Sequence, residues 1–505
     1  MARLHEYQGK ALLKEQGIEV PEGRAVRTPE EAADVARELN GPVVLKVQAW
    51  TTSRKAQGGV VFVDSPEEAQ THAANLLGMT FGNFPVTEVL VEQIIDIKNE
   101  LFVSLSIDDA AQAPILLLDF QGGSGIEERA DQVVRMPIDV IDGLSLDDLR
   151  NHLQASTIEA SFHDDLVKAI QGICEIAKKY EARSVEVNPL VTTNDGRVVA
   201  ADCRLTIDDY AVFRHPELGI EIARELDHPA TELERLAYDL EQADHRGTFY
   251  FAQLPTAGAE NTNGIIGFHG AGGGGSMMSM DAVTNVGFTL ANFCDTSGNP
   301  SAAKVYRAAR VILAQPDLVG YFGSGSGVAS QEQFWSAYGL AKAFIEMNIE
   351  IPVVVRLGGN SEDRAVDILH DACADLPATI EGYKKDDTPQ ACAERFKTLV
   401  EQAGASNATM SRSVPDFVGC SDAYSFEIEG GQVWIDHEAC DANSAQQIVD
   451  LSNDLLKLDD EGKPVLAISD DDIAKKDSEL IALEIETRRA GIPYVFVDLA
   501  IVGLD

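Results

Sequence analysis

Short apolar runs alternate with amphipathic stretches over the first 230 residues. Ala32, Val35, Ala36 and Leu39 recur at helical spacing behind Thr28-Pro29-Glu30-Glu31. Thr caps a helix, Pro suits its first turn, and Glu three places after the cap reaches back to close a capping box. Asn40-Gly41 predicts the stop, and Val43-Val44-Leu45-Lys46-Val47 reads as the next strand. Ser65-Pro66-Glu67-Glu68 repeats the device after a strand at 60–63, and further apolar runs at 89–91 and 115–118 complete an α/β region with an antiparallel element.

Residues 228–262 read as a polar helix and a linker. A new unit begins with the apolar strand Gly264-Ile265-Ile266-Gly267-Phe268. It runs through His269-Gly270-Ala271-Gly272-Gly273-Gly274-Gly275 into a helix starting at Ser276. Later strands fall at 318–322 and 352–356. Strand, glycine loop, helix and strand predict a doubly wound, flavodoxin-like domain. Beyond about 400 the pattern predicts a small separate α/β extension. It holds a hairpin over 426–435 turning at Gly430-Gly431, then a strand at 465–468, a helix near 475–490 and a strand at 494–497 as one βαβ unit. This extension carries no motif for chemistry, which suits a structural or interface role.

Composition narrows the function. The chain has 505 residues with 82 acidic and 40 basic side chains, a net charge of -42. No basic stripe is available for nucleic acid. No apolar run is long enough to span a bilayer and no segment has a signal-peptide layout, so a cytoplasmic protein without membrane or nucleic-acid partners is expected. The seven cysteines are scattered without a CxxC pair, which fits free thiols in a reducing compartment. On so acidic a chain, a polyanionic ligand needs a local positive pocket.

Lys46 on its apolar strand must have a partner, because an unpaired buried charge is costly. Arg54, Lys55 and Gly58-Gly59 follow it, and Glu92, Glu100, Glu186, Asn188 and Asp202 supply acidic and amide groups downstream. Residues 185–191 alternate like a strand and 197–204 read as a second one. The loop Asn194-Asp195-Gly196 between them suits a hairpin with Gly in the left-handed position. That register sets Asn188 opposite Asp202, two oxygen ligands for a Mg2+ that keeps water and phosphate oxygens as its others, with Glu186 on the same face.

These residues, together with His5-Glu6-Tyr7-Gln8, resemble the succinyl-CoA synthetase β-subunit family from about residue 3 to about 395. The resemblance implies an ATP-grasp domain over 1–230, a flavodoxin-like CoA-ligase domain over 255–395 and, outside the family pattern, the C-terminal α/β extension over 400–505. It implies that Lys46, Ser53, Arg54, Lys55, Glu92, Ile95 and Glu100 bind ATP or GTP, with Glu92 and Glu100 toward the nucleoside. It likewise implies that Asn188 and Asp202 hold Mg2+, and that Glu186 is the catalytic contact to a phosphohistidine. That histidine belongs to a partner α-subunit, which also carries the CoA-binding domain and most contacts to coenzyme A. The phosphate passes to a small carboxylic acid, and coenzyme A displaces it.

Two loops depart from the family. Ala49-Trp50-Thr51-Thr52-Ser53-Arg54 stands where the family has a glycine-rich phosphate loop, so hydroxyls replace hydrogens. His269 stands where the family has Asn before Gly-Ala-Gly, and Phe322-Gly323-Ser324-Gly325-Ser326-Gly327-Val328 replaces a shorter Phe-Gly-Gly-Ile-Val. His269, Gly323, Ser324, Ser326, Gly327 and Val328 are therefore the expected substrate contacts, with His269 adding a proton-dependent charge. The leading expectation is an NDP-forming acyl-CoA ligase β-subunit for an altered anionic acid, hydroxylated or sulfonated. The alternatives are a succinate ligase proper and a non-catalytic nucleotide-binding scaffold. A phosphate carried on His269 itself fits poorly, because the phosphohistidine motif has Gly before and Ala after, and here Phe268 and Gly270 flank it.

Overall fold

A computed structural model describes residues 2–50, 54–122, 131–244, 247–259, 262–325, 329–404, 432–493 and 495–499. The chain divides into two units, 1–230 and 231–505.

In the first unit the two predicted helix starts form as the capping chemistry requires. The Glu31 amide donates to Thr28 Oγ1 at 3.2 Å and the Thr28 amide to Glu31 Oε2 at 3.3 Å. The helix Pro29–Leu39 ends on Asn40, which takes the left-handed conformation itself. Ser65 caps Pro66–Leu77 by accepting the Glu68 amide at 3.2 Å, while the Glu68 carboxylate accepts the Asp64 amide at 3.0 Å and not that of Ser65, so the expected capping box is half formed. These helices cover a sheet ordered Gly23–Val26, Val89–Gln93, Val43–Val47, Val60–Val63. The larger sheet runs Ala2–Arg3, Arg204–Ile207, Ala182–Thr193, Ile97–Asp108, Ala113–Asp119, Val134–Pro137. Every pairing between the named strands of both sheets is antiparallel, so the antiparallel element expected from sequence extends through both.

The second unit has a parallel sheet. In space its strands run Asn292–Asp295, Ile265–Ala271, Leu318–Gly325, Val353–Arg356, Ile380–Tyr383, with parallel pairing throughout. Numbered along the chain this order is 2-1-3-4-5, the flavodoxin-like arrangement predicted. Inside the expected linker, Tyr250–Gln253 adds an antiparallel edge strand against Asn292–Asp295. Its alternation buries Phe251, a signal present in the sequence. The glycine loop is also shorter than expected: the strand continues to Ala271 and the helix Gly273–Asn285 begins within the glycines. A side chain at Gly270 would meet Ser276 Oγ at 2.2 Å, so strand and helix close together only on glycine.

The C-terminal segment differs from its reading as a separate βαβ domain. Pro464–Leu466 pairs antiparallel with Leu456–Leu458, and Val495–Asp498 pairs antiparallel with Gln432–Ile435. The expected hairpin turn at Gly430-Gly431 and the arm before it lie outside the described residues. Ile473, Leu480, Ile481, Ile485 and Val497 share one core with the helices Ala302–Leu313, Phe334–Glu346 and Glu362–Ala372. At that contact Lys342, fully buried, lies 2.9 Å from Glu346 and 2.7 Å from Glu484 of the helix Asp477–Arg489. The Val497 amide donates to the same Glu484 carboxylate at 3.0 Å. No helix among the described residues is long and apolar enough to cross a membrane.

Lys342→Met leaves Glu484 buried without its cation, so the unfolding free energy should fall by about 3–5 kcal/mol. Adding Glu484→Leu should recover most of that loss. Urea unfolding of the full-length variants measures both, and a negligible effect of Lys342→Met would show that the C-terminal segment is not held by this pair.

Candidate active site

The strand Val43–Val47 has two faces. Leu45 and Val47 point into the apolar core under the helices, and alternation turns Val44 and Lys46 to the other side. There they line a cleft of about 500 Å³ in the first unit. Sheet register brings Glu92 to this place, because Val44 and Glu92 are direct partners and Lys46 lies two residues along on the same face. The cleft wall includes Lys46, Arg54, Lys55, Glu92, Ile95, Glu100, Glu186, Asn188 and Asp202. Folding thus collects in one cavity every nucleotide, metal and catalytic candidate of the first unit among the described residues. Ser53, with Thr51 and Thr52, lies outside the described residues.

Lys46 finds the partners that its burial demands. Its ammonium lies 2.8 Å from Glu6 Oε1 and 3.0 Å from Glu92 Oε2, and it donates to the Ala201 carbonyl at 2.8 Å. Lys10 bridges the same two carboxylates at 2.7 Å each and donates to the same carbonyl at 2.9 Å. Arg54 joins Glu6 at 2.8 Å to Asp202 at 2.9 Å. Burial alone would raise the Glu6 carboxyl, but Lys46, Lys10 and Arg54 outweigh it and hold the group far below the usual carboxylate range. Burial alone would likewise lower Lys46, and Glu6, Glu92 and Asp202 instead hold it above the ordinary lysine range. Glu92 is buried and engaged with two lysines.

Sequence reasoning singled out Lys46 without Lys10. Lys10 occupies the buried face of the helix Glu6–Glu15, one turn after Glu6. The spacing of these two on a helix that also buries Leu13 was the available signal.

The predicted hairpin forms, with Gly196 at φ 92°. Leu190 faces Ala200 and Val191 faces Val199, the register that extends to Asn188 and Asp202. The return strand differs from its prediction as one element. It splits into Val198–Ala200 and Arg204–Ile207, which resume the same register further along Ala182–Thr193. The break lies opposite Pro189, which has no amide hydrogen to give to a ladder. The Ala201 amide still donates to the Pro189 carbonyl at 3.0 Å, so Asn188 and Asp202 flank a bonded position. A carboxylate and an amide oxygen on one wall of a wide cleft fit a Mg2+ whose remaining ligands are water and phosphate. Among the described residues no group of three or more His, Cys, Asp or Glu side chains is placed to hold a metal ion.

His269, Gly323 and Ser324 come together in the second unit around a small cavity of about 30 Å³, with Thr296 and Arg356. It lies at the carboxyl ends of Ile265–Ala271 and Leu318–Gly325, beside the point where strand order reverses. Ser326, Gly327 and Val328 lie outside the described residues. The proton-dependent charge expected of His269 is corrected by its surroundings. The ring is buried, with Nδ1 bonded to the Tyr321 hydroxyl and Nε2 3.1 Å from Thr296 Oγ1, and burial lowers its pKa to about 4. It is a neutral ring at physiological pH. The amide of Gly272, just before the helix Gly273–Asn285, donates to Asp295 at 2.8 Å.

A family model described as an ATP-grasp domain matches residues 3–192, and one described as ATP citrate lyase citrate-binding matches residues 258–388. The chain is 34% identical over 390 residues to the GDP-forming succinate–CoA ligase subunit beta of Thermus thermophilus, covering 75% of this chain and 97% of that one. It is 34% identical over 381 residues to the ADP-forming subunit beta of Ignicoccus hospitalis, covering 73% and 94%. Among solved structures it is similar to ATP citrate lyase from Methanothrix soehngenii in complex with citrate and coenzyme A, with a TM-score of 0.64 and 18% identity over 78% of this chain and 99% of that one. That last likeness is one of fold.

Because the folded pKa of His269 lies below the ordinary value of 6.5, the native state resists its protonation. Stability should therefore fall as pH drops from about 6.5 toward 4, by up to about 3 kcal/mol at roughly 1.4 kcal/mol per unit. NMR of ring-labelled histidine should show no titration of His269 between pH 5.5 and 8, whereas a midpoint near 6.5 would restore the proton-dependent charge.

Proposed function

The chain belongs to the succinate–CoA ligase β-subunit family, and on that premise we propose that it is the nucleotide-binding subunit of an NDP-forming acyl-CoA ligase acting with an α-subunit. The observation that carries this reading is the single cleft where Lys46 and Arg54 meet Asn188, Asp202 and Glu186. Lys46 and Arg54 are the phosphate contacts, Lys46 as a point charge and Arg54 as a fork. Asn188 and Asp202 would hold Mg2+, which supplies charge neutralisation to phosphate oxygens when bound. Glu92 holds both lysines in place; Ile95 and Glu100 line the same cleft toward the nucleoside. Glu186, on the strand that carries Asn188, faces the phosphohistidine of the α-subunit. Coenzyme A is held mainly by that partner.

The acid is taken at the second unit's switch point. His269 presents no charge there, so a negative group on the acid relies on neutral donors and Arg356. Ser324, whose oxygen accepts the Ser279 hydroxyl at 2.8 Å, keeps its own O–H for a polar substituent, which favours a small acid more polar than succinate. The match of residues 258–388 to a citrate-binding family model supports the same direction.

Reconstitution with the α-subunit should give nucleotide- and Mg2+-dependent thioester formation with a member of a panel of succinate, malate, citrate and sulfonated acids. Asp202→Asn should lower kcat/KM by about 100-fold. Nucleotide binding without thioester formation from any acid would favour the scaffold alternative, and preference for succinate would favour the succinate ligase.

A further inference from the structure

Three cations and three carboxylates meet at the floor of the nucleotide cleft. Lys10, Lys46 and Arg54 stand against Glu6, Glu92 and Asp202. The charges cancel one for one. A phosphate chain entering this network finds no surplus positive charge within it; the cleft wall around it carries Glu100 and Glu186 alongside Arg3, Lys55 and Arg204.

The carboxylates differ in how tightly they are enclosed. The side chains of Glu6 and Glu92 are 1% and 2% exposed, whereas Asp202 is 34% exposed. Glu6 and Glu92 each hold two or more cations. Asp202 is held by one cation, Arg54, whose terminal nitrogen donates to both its oxygens at 2.9 and 3.1 Å. The other terminal nitrogen of Arg54 stays on Glu6 at 2.8 Å and on the Val47 carbonyl at 3.1 Å. Burial disfavours this guanidinium's charge, and Asp202 and Glu6 together outweigh it. Of the three carboxylates, Asp202 is the most open to the cleft; Arg54 is its one cation in the network, and its Oδ1 also accepts the Cys203 amide at 2.7 Å.

We propose that Arg54 is a positioning residue that trades the Asp202 carboxylate for nucleotide phosphate, so that divalent metal and nucleotide bind this cleft as a linked pair. A divalent cation on Asp202 neutralises the carboxylate and releases one arm of Arg54, while Glu6 holds the other arm in place. The freed N–H groups then face the cleft as phosphate donors. In reverse, phosphate drawing Arg54 away uncovers Asp202 for the metal. Linkage requires that the two ligands help one another by the same factor, and couplings of this kind run at roughly 5- to 100-fold. Glu6 is the hinge of the exchange, since it keeps Arg54 from leaving with either ligand.

The inference rests on the proposed assignment of Asp202 to the metal, and Mn2+ binding to the full-length chain tests the two separately. Electron paramagnetic resonance measures free Mn2+ without nucleotide, and calorimetry measures ADP in the presence of a metal chelator. Arg54→Met removes the competitor for Asp202, so its Mn2+ affinity should rise by roughly 10-fold over the unsubstituted chain while its chelator-condition ADP affinity falls. Arg54→Lys, which keeps the charge and loses the fork, should show a smaller rise and serves where Arg54→Met does not fold. Mn2+ affinity unchanged or weakened in both variants overturns the exchange. Asp202→Asn distinguishes the underlying assignment: Mn2+ binding that survives this change unaltered removes Asp202 as the metal ligand, and the exchange falls with it. Loss of Mn2+ in Asp202→Asn without tightening in the Arg54 variants leaves the assignment standing and sinks the exchange alone.

Discussion

Glu6 is almost completely sealed from water, and three cations point at it. A carboxylate so enclosed is tolerable only with all its partners present, and those partners come from a helix, a strand and the segment after a loop. Lys10 is one turn away on its own helix, Lys46 lies across the sheet and Arg54 follows the segment that replaces the family's glycines. Removing Glu6 would leave Lys10 and Lys46 with Glu92 as their one carboxylate in the network and Arg54 with Asp202. The cleft's cations are therefore aimed by a group that itself need never touch a ligand.

The second unit handles charge in the opposite manner. Around His269 the polar groups are satisfied in pairs by neutral partners: Tyr321 and Thr296 for the ring, Ser279 for Ser324 at 2.8 Å, and Gly272 for Asp295. Arg356 is the exception in charge and not in satisfaction, since its guanidinium donates to the carbonyls of Asp387, Gly325 and Lys385 at 2.6, 2.9 and 2.7 Å. Carbonyl dipoles hold a cation in place without cancelling it, whereas the carboxylates of the first unit do cancel theirs. The two candidate sites thus present different electrostatic arrangements on one very acidic chain.

The C-terminal segment shows how an addition to a family domain becomes part of it. Its helix Asp477–Arg489 brings Glu484 to a lysine already paired with Glu346, and Phe496 lies 4.5 Å from the same ammonium. Apolar residues on both sides close one core over this cluster. The sequence of the segment alone suggested an independent βαβ unit, because strand, helix and strand follow in order. Its strands instead pair antiparallel with neighbours that lie close or far along the chain, a choice that local pattern does not encode.

Local chemistry decided a great deal before any tertiary contact. The capping box at Thr28, the Ser65 cap, the helix stop at Asn40, the strand around Lys46 and the hairpin at Gly196 depend on neighbours a few residues apart, and all were legible in sequence. So was the 2-1-3-4-5 sheet class, because glycine-walled strand-to-helix turns constrain topology. Which charges cancel was not legible. Lys10 and Glu6 meet Glu92 and Arg54 across tens of residues, and a histidine's charge depends on whether its nitrogens face protein or water. Sequence names the ionisable groups and the turns that carry them. Only the packed chain sets their separations and the dielectric between them, and both enter Coulomb's law directly.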